Sequence, residues 1–127
     1  LLERIDIHVE VPAVPIAALR DMKPGTDSAM MRVQAQRALE TQRERFGRHS
    51  TTTNGRMSSR ELRKYAVIDS DGERLLRQAV SELGLSARAH DKVLRVARTI
   101  ADLAGEERIS AIHLSEAIQY RRLDRSL

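Results

Sequence analysis

Two arginines occupy the positions from which this sequence could do chemistry. Arg88 falls two residues after Ser86, a residue type that opens helices, so its guanidinium belongs to a first turn. Free backbone amides and the helix dipole already favour an anion there, and a forked cation beside them would strengthen the hold on a phosphate. Arg4 stands immediately before an alternating run, in Leu1-Leu2-Glu3-Arg4-Ile5-Asp6. Taken without context, each also reads as an ordinary surface charge. Arg88 would then be a mildly unfavourable first-turn cation, and Arg4 a solvated flank or the partner of Glu3 or Asp6.

The remaining chemistry-bearing residues do not converge. His8, His49, His90 and His113 are scattered, with no helical or hairpin pairing that would bring ligands around a metal or orient a catalytic base. The expectation for metal ligands is therefore none. Cysteine is absent, which excludes a disulfide framework, a thiolate metal site and a cysteine nucleophile. No Gly-Lys-Ser/Thr phosphate loop and no Gly-x-Gly-x-x-Gly turn occurs in the chain.

The elements that must position these residues can be read from periodicity. Ile5 to Val11 alternate apolar and polar, the pattern of a half-buried strand, and Pro12 and Pro15 end it. A lone strand needs partners, so its sheet is expected to be missing or supplied by another copy. Residues 16–26 read as a linker that finishes in the Lys23-Pro24-Gly25 turn. From Asp27 to Phe46 the pattern is helical, with Met31, Ala35, Ala38, Gln42 and Phe46 on one face and Gly47 as the stop. Residues 48–57 read as a mobile polar loop.

Ser58 with Glu61, and Ser70 with Glu73, have capping-box spacing. The first opens a short helix through Tyr65, and the second a helix closed by Gly84. Ser86 caps the longest apolar helix, which ends at Gly105. Ser110 caps the last, running out near Arg122. Helices of these lengths joined by short turns predict an all-α fold, a small bundle preceded by one orphaned N-terminal β-strand. The expected division is 1–26 for strand and linker and 27–127 for the helical domain.

Composition bounds the function further. At 127 residues the chain holds one compact domain, since about 100–200 residues per domain is usual. Aromatics are only 2%, with two Tyr, one Phe and no Trp, too few for a base-stacking platform or a sugar-binding shelf. Lys and Arg total 22 against 18 Asp and Glu, a net charge of +4, and Lys occurs only at Lys23, Lys64 and Lys92. An arginine-dominated surplus suits phosphate or carboxylate partners, although solubility alone would also explain it. No apolar run reaches the roughly 18–20 residues of a membrane span, and a chain that opens on Leu with a β-like run reads as a piece of a longer protein.

The outline helix, Gly84-Leu85, helix also allows an autonomous helix-turn-helix DNA binder, whose second helix would present Arg88, His90, Asp91, Lys92, Arg95 and Arg98. Its apolar residues, however, cover a wide arc for a helix lying free in a groove.

A family resemblance bears on the choice. The run from Leu85 to Leu103, together with Leu1–Pro12, Arg60–Tyr65 and Ala117–Asp124, closely resembles magnesium-chelatase-like AAA+ ATPases of the ComM/YifB type, in order and over nearly the whole chain. The sequence departs from the family at His90, where Tyr is usual, and at Ala35 and Leu39. The resemblance implies the C-terminal end of such a protein: the last strand of the ATPase core followed by the helical lid. It implies that Arg4 is an arginine finger reaching a neighbour's γ-phosphate, and that Arg88 is the sensor 2 arginine, in its own subunit's site or a neighbour's. ATP and Mg²⁺ would serve the full-length protein, with none bound by this stretch alone and no activity of its own. Implied partners are the protein's own N-terminal ATPase core, homo-hexamer neighbours and DNA, in a cytoplasmic motor of the branch-migration or natural-transformation kind, with no membrane contact.

Overall fold

The architecture is seen in a computed structural model, which describes residues 4–21 and 23–121. Leu1 to Glu3, and Arg122 to Asp124 at the other end of the resemblance, lie outside the described residues. Six α-helices follow one another: α1 (Ile16–Arg20), α2 (Ser28–Phe46), α3 (Ser59–Tyr65), α4 (Ser70–Leu83), α5 (Ala87–Leu103) and α6 (Ala111–Gln119). Among the described residues there is no β-ladder, and no helix is long and apolar enough to cross a membrane. The all-α bundle expected from periodicity is the fold.

Local chemistry explains most helix ends. The Asp27 carboxylate accepts the Met30 amide at 2.8 Å and starts α2. Ser58 and Glu61 form a complete capping box on α3, with Ser58 Oγ accepting from Glu61 N and Glu61 Oε1 from Ser58 N. Ser86 Oγ accepts the Ala89 amide at 3.1 Å and starts α5. Gly84 ends α4 in the left-handed region at φ 62°, a conformation that disfavours a side chain. One start differs from expectation. Asp69, not Ser70, caps α4, accepting from Gly72 N at 2.7 Å, because a charged oxygen answers the positive end of the helix better than the neighbouring hydroxyl.

The core forms around α5, which packs against α2, α3, α6 and the 3₁₀ turn Asn54–Arg56, while α4 closes over α6. Met57, Leu62, Leu76, Val93, Ala97, Leu114 and Ala117 are among its buried apolar members. Each large side chain among them contributes about 1.5–3 kcal/mol through burial. Phe46 meets Tyr65 edge to face, ring centroids 5.3 Å apart, joining the ends of α2 and α3.

Three expectations need correction. The face of α2 drawn through Met31, Ala35, Ala38, Gln42 and Phe46 is packed only in its second half. Ala38 is buried and Gln42 and Phe46 are half-buried, whereas Met31 and Ala35 are exposed. The stretch 48–57 is no free polar loop: Asn54 and Met57 are buried in it, and Asn54 is hydrogen-bonded to Gln42, Arg45, Thr99 and Asp102. The linker 16–26 contains the single-turn helix α1, started after Pro15, whose fixed φ suits a helix entry.

Candidate functional site

The N-terminal segment forms no β-ladder among the described residues, and its apolar side chains are largely exposed. Ile5, Ile7, Val9 and Val11 are exposed, while His8 between them is buried. Its attachment to the bundle is polar. The His8 amide donates to the Tyr120 carbonyl at 2.8 Å. The Arg121 guanidinium, fully buried, donates to the carbonyls of Ile5 and Asp6. The Lys92 ammonium pairs with the Asp6 carboxylate. Of the arrangements open to a strand without a sheet, this segment is folded onto the bundle. Between it and the helices runs a groove of about 570 Å³, lined by Ile7, Val9, Val96, Ile100, Leu103 and Tyr120 among others.

Arg88 and Arg4 are both exposed, and neither makes a hydrogen bond or ion pair among the described residues. Arg88 projects from the first turn of α5, whose N-cap Ser86 accepts the Ala89 amide with its hydroxyl and the His90 amide with its carbonyl. Arg4 lies at the start of the pinned segment. No direct contact joins the two arginines. The nearest structural link is the Asp6–Lys92 pair, two residues along from Arg4 and one helical turn along from Arg88. Nothing local in the sequence announced that pair, because Asp6 read as the polar phase of a strand and Lys92 as a helix-surface charge.

The densest polar cluster lies elsewhere and is structural. Arg45 of α2 forks onto Asp102 of α5, and Asn54 donates to the same carboxylate at 2.7 Å. Arg98 completes the group, pairing with Asp102 at 3.2 Å and donating to the carbonyls of Glu106 and Glu107. Burial pulls the Arg98 guanidinium below its ordinary value; the Asp102 carboxylate opposes that pull, and the nearby Arg45 charge adds to it. Both of the clustered arginines are occupied by protein acceptors, so this cluster presents no open anion site.

The histidines have local work. His113 Nδ1 accepts the Ser110 amide at 3.0 Å at the start of α6, and His90 Nδ1 lies 3.2 Å from Asp91. Among the described residues no three His, Asp or Glu side chains converge as a metal site would require. Tyr120 has its phenol pushed above the ordinary 10.0, by partial burial first and then by Glu116, whose carboxylate also accepts its hydroxyl.

The family described as magnesium chelatase, subunit ChlI C-terminal, matches residues 25–121. The chain is 37% identical over 127 residues to competence protein ComM of Haemophilus influenzae, covering 99% of this chain and 24% of that protein. It is 39% identical over the same span, with the same coverage, to the uncharacterized protein YifB of Salmonella typhimurium. With the uncharacterized protein Rv2897c of Mycobacterium tuberculosis the identity is 30% over 122 residues, 96% of this chain and 24% of that protein. The chain thus spans about a quarter of the length of the curated relatives it matches.

Proposed function

The chain belongs to the magnesium chelatase ChlI C-terminal family, and from that membership we propose that it is the helical lid of an AAA+ ATPase. In this reading residues 1–26 carry the last strand of the ATPase core and a linker, and residues 27–127 form the lid. The observation that carries the proposal is the exposed apolar set Ile5, Ile7, Val9 and Val11. Exposed apolar residues in alternation suit a strand that pairs with a sheet in the core, and the apolar groove beside them gives a core a surface to close on.

The nucleotide chemistry fits the two free arginines. ATP bound by the core with Mg²⁺ supplies the γ-phosphate that is transferred to water. Arg88 is the sensor 2 residue: its unpaired guanidinium meets the γ-phosphate and neutralises its charge. Because Arg88 sits on the helix at the centre of the lid core, whatever moves Arg88 moves the lid. Arg4 is the arginine finger, reaching from one subunit into the site of the next in a homo-hexameric ring. In this reading the Mg²⁺ ligands belong to the core. The chain alone neither holds ATP tightly nor turns it over.

DNA remodelling of the branch-migration or natural-transformation kind, in the cytoplasm, completes the proposal. Its support is the likeness to a protein named for competence and the arginine-rich net charge of +4. An autonomous helix-turn-helix reader finds less support, because its reading helix would be α5, and α5 is buried along Val93, Leu94, Val96, Ala97 and Ala101.

The test uses the full-length polypeptide with its core. Arg88→Ala and Arg4→Ala are each expected to abolish ATP turnover with folding intact. Mixing Arg4→Ala subunits with subunits disabled in their own phosphate loop should restore part of the turnover, because the finger acts on a neighbour. Unchanged turnover in both variants, or hydrolysis by the isolated chain that Arg88→Ala removes, would overturn the reading.

A further inference from the structure

The outward side of α3 and the 3₁₀ turn before it gather cations that no carboxylate answers among the described residues. From Arg56 to Lys64 four basic side chains stand against one acid, Glu61, a local surplus of three in a chain whose net charge is +4. Arg56, Arg60, Arg63 and Lys64 are all exposed. Arg60, Arg63 and Lys64 fall at i, i+3 and i+4, so they stand side by side, about 5–6 Å apart at Cβ. Among the described residues no guanidinium of the three arginines donates a hydrogen bond or forms an ion pair. The Lys64 ammonium meets only the Tyr65 ring, 5.1 Å from its centroid. The one acid of the helix is already engaged, since Glu61 Oε1 accepts the Ser58 amide. Arg63 shares a hollow with Glu73 and Asp91, and Lys64 one with Asp69 and Glu107, yet no ion pair forms across either. Elsewhere gathered basic side chains are committed, Arg43 and Arg48 to Glu40, Arg74 to Asp71 and Arg95 to the Met57 carbonyl.

This charged face is held in place from beneath. Arg95 donates Nε and Nη2 to the Met57 carbonyl at 3.0 and 2.8 Å, Met57 and Leu62 are buried, and the Ser58–Glu61 box fixes the start of the helix. Binding would then order side chains alone. Like charges at this spacing disfavour the helix, and a partner with closely spaced negative charges removes that cost. Duplex DNA, with one charge per about 1.7 Å of its axis, is such a partner. Unpaired bases would find no stacking surface here, because Tyr65 meets Phe46 edge to face and has Lys64 over its ring. We propose that the outward face of α3, with Arg56 beside it, docks the phosphate backbone of duplex DNA. The inference gives a surface to the DNA partner of the reading above, and rests on it.

The experiment introduces Arg56→Gln, Arg60→Gln and Arg63→Gln into the full-length protein, singly and together. A matched triple variant, Arg32→Gln, Arg37→Gln and Arg77→Gln, removes three guanidiniums that are exposed and unpaired among the described residues on α2 and α4. Binding of two DNA duplexes of unrelated sequence is titrated at rising salt, alongside melting temperature and assembly state. Each neutralisation on the α3 face is expected to weaken both duplexes alike and to lower the slope of log affinity against log salt by about 0.9. Melting temperature and assembly stay those of the natural protein, and the matched triple variant keeps its slope. An unchanged slope in the α3-face triple variant, or an equal loss in the matched one, would overturn the docking face. So would a loss confined to one duplex, which is base reading, or failed assembly with the slope intact, which gives the face to another protein surface. If the natural protein binds no duplex, the inference falls together with the DNA part of the reading beneath it. If it binds and the α3-face variants are silent, the inference alone falls.

Discussion

Arg45 and Asp102 meet as a two-pronged pair, Nη1 to Oδ2 at 2.8 Å and Nη2 to Oδ1 at 2.7 Å, and the Asp102 side chain has no exposed surface. This contact seats the packed half of α2 on the central helix. Removing one partner of a buried pair strands the other, so Asp102→Ala is expected to cost about 3–5 kcal/mol. It leaves Arg45 and Arg98 facing each other and takes an acceptor from Asn54. Arg45→Ala should cost less, because Arg98 and Asn54 still satisfy the carboxylate. Urea denaturation of both variants gives the order, and a larger loss in Arg45→Ala would contradict it.

That cluster also shows where the sequence stops being legible. Ser58 with Glu61 and Ser86 with the Ala89 amide act over three residues, and spacing alone identifies such caps. Arg45, Asn54 and Asp102 come from three separate elements, and Asn54 sits in a stretch whose Ser, Thr and Gly content reads as loose loop. Its burial follows from the charge it completes, a tertiary fact without local signature. The first turns of α2 fail in the opposite direction: Met31 and Ala35 keep helical period, yet period says which residues share a face and not whether anything covers it. At the candidate site, the place of Arg88 in the first turn of α5 follows from the Ser86 cap alone. The ties through Lys92, Tyr120 and Arg121 have no local signature, since each joins residues far apart in the chain.

Gly72 tests the packing of α4 on α6. In an exposed helix, Gly→Ala gains roughly 1 kcal/mol. Here an added Cβ would come within 2.8 Å of Leu114 Cδ1, 3.2 Å of Ile68 Cβ and 3.3 Å of Asp69 Oδ1. Leu114 is fully buried and Ile68 meets the methyl with its own branch point, so neither yields freely. Overpacking of this kind costs about 1–3 kcal/mol, and Gly72→Ala should therefore lower the unfolding midpoint. A raised midpoint would show that α4 and α6 are further apart than described.

Tyr120 gives a pH dependence with a defined sign. Its raised phenol value means that the folded chain holds this proton more tightly than the unfolded chain. The associated stability is present below the ordinary 10.0 and is lost as pH rises through the higher folded value. Stability measured across alkaline pH should fall more steeply in the natural chain than in Tyr120→Phe. Parallel slopes in the two proteins would remove Tyr120 as the cause. The Tyr120 carbonyl, which holds His8, is unchanged by the substitution, so the segment stays attached in the variant.

Arg88 separates stability from function. A cation in the first turn of α5 opposes the helix dipole, and this one has no carboxylate partner among the described residues to compensate. Arg88→Glu reverses that sign and is expected to stabilise the fold by about 0.3–1 kcal/mol while abolishing ATP turnover in the full-length protein. Arg88→Ala should change stability by less than about 0.5 kcal/mol, as exposed substitutions usually do. Thermal unfolding read beside the turnover assay decides the matter. An arginine kept for packing would lose stability in both variants. One kept for an anion gains it in the glutamate variant, because the unfavourable charge is retained there only for the phosphate it meets.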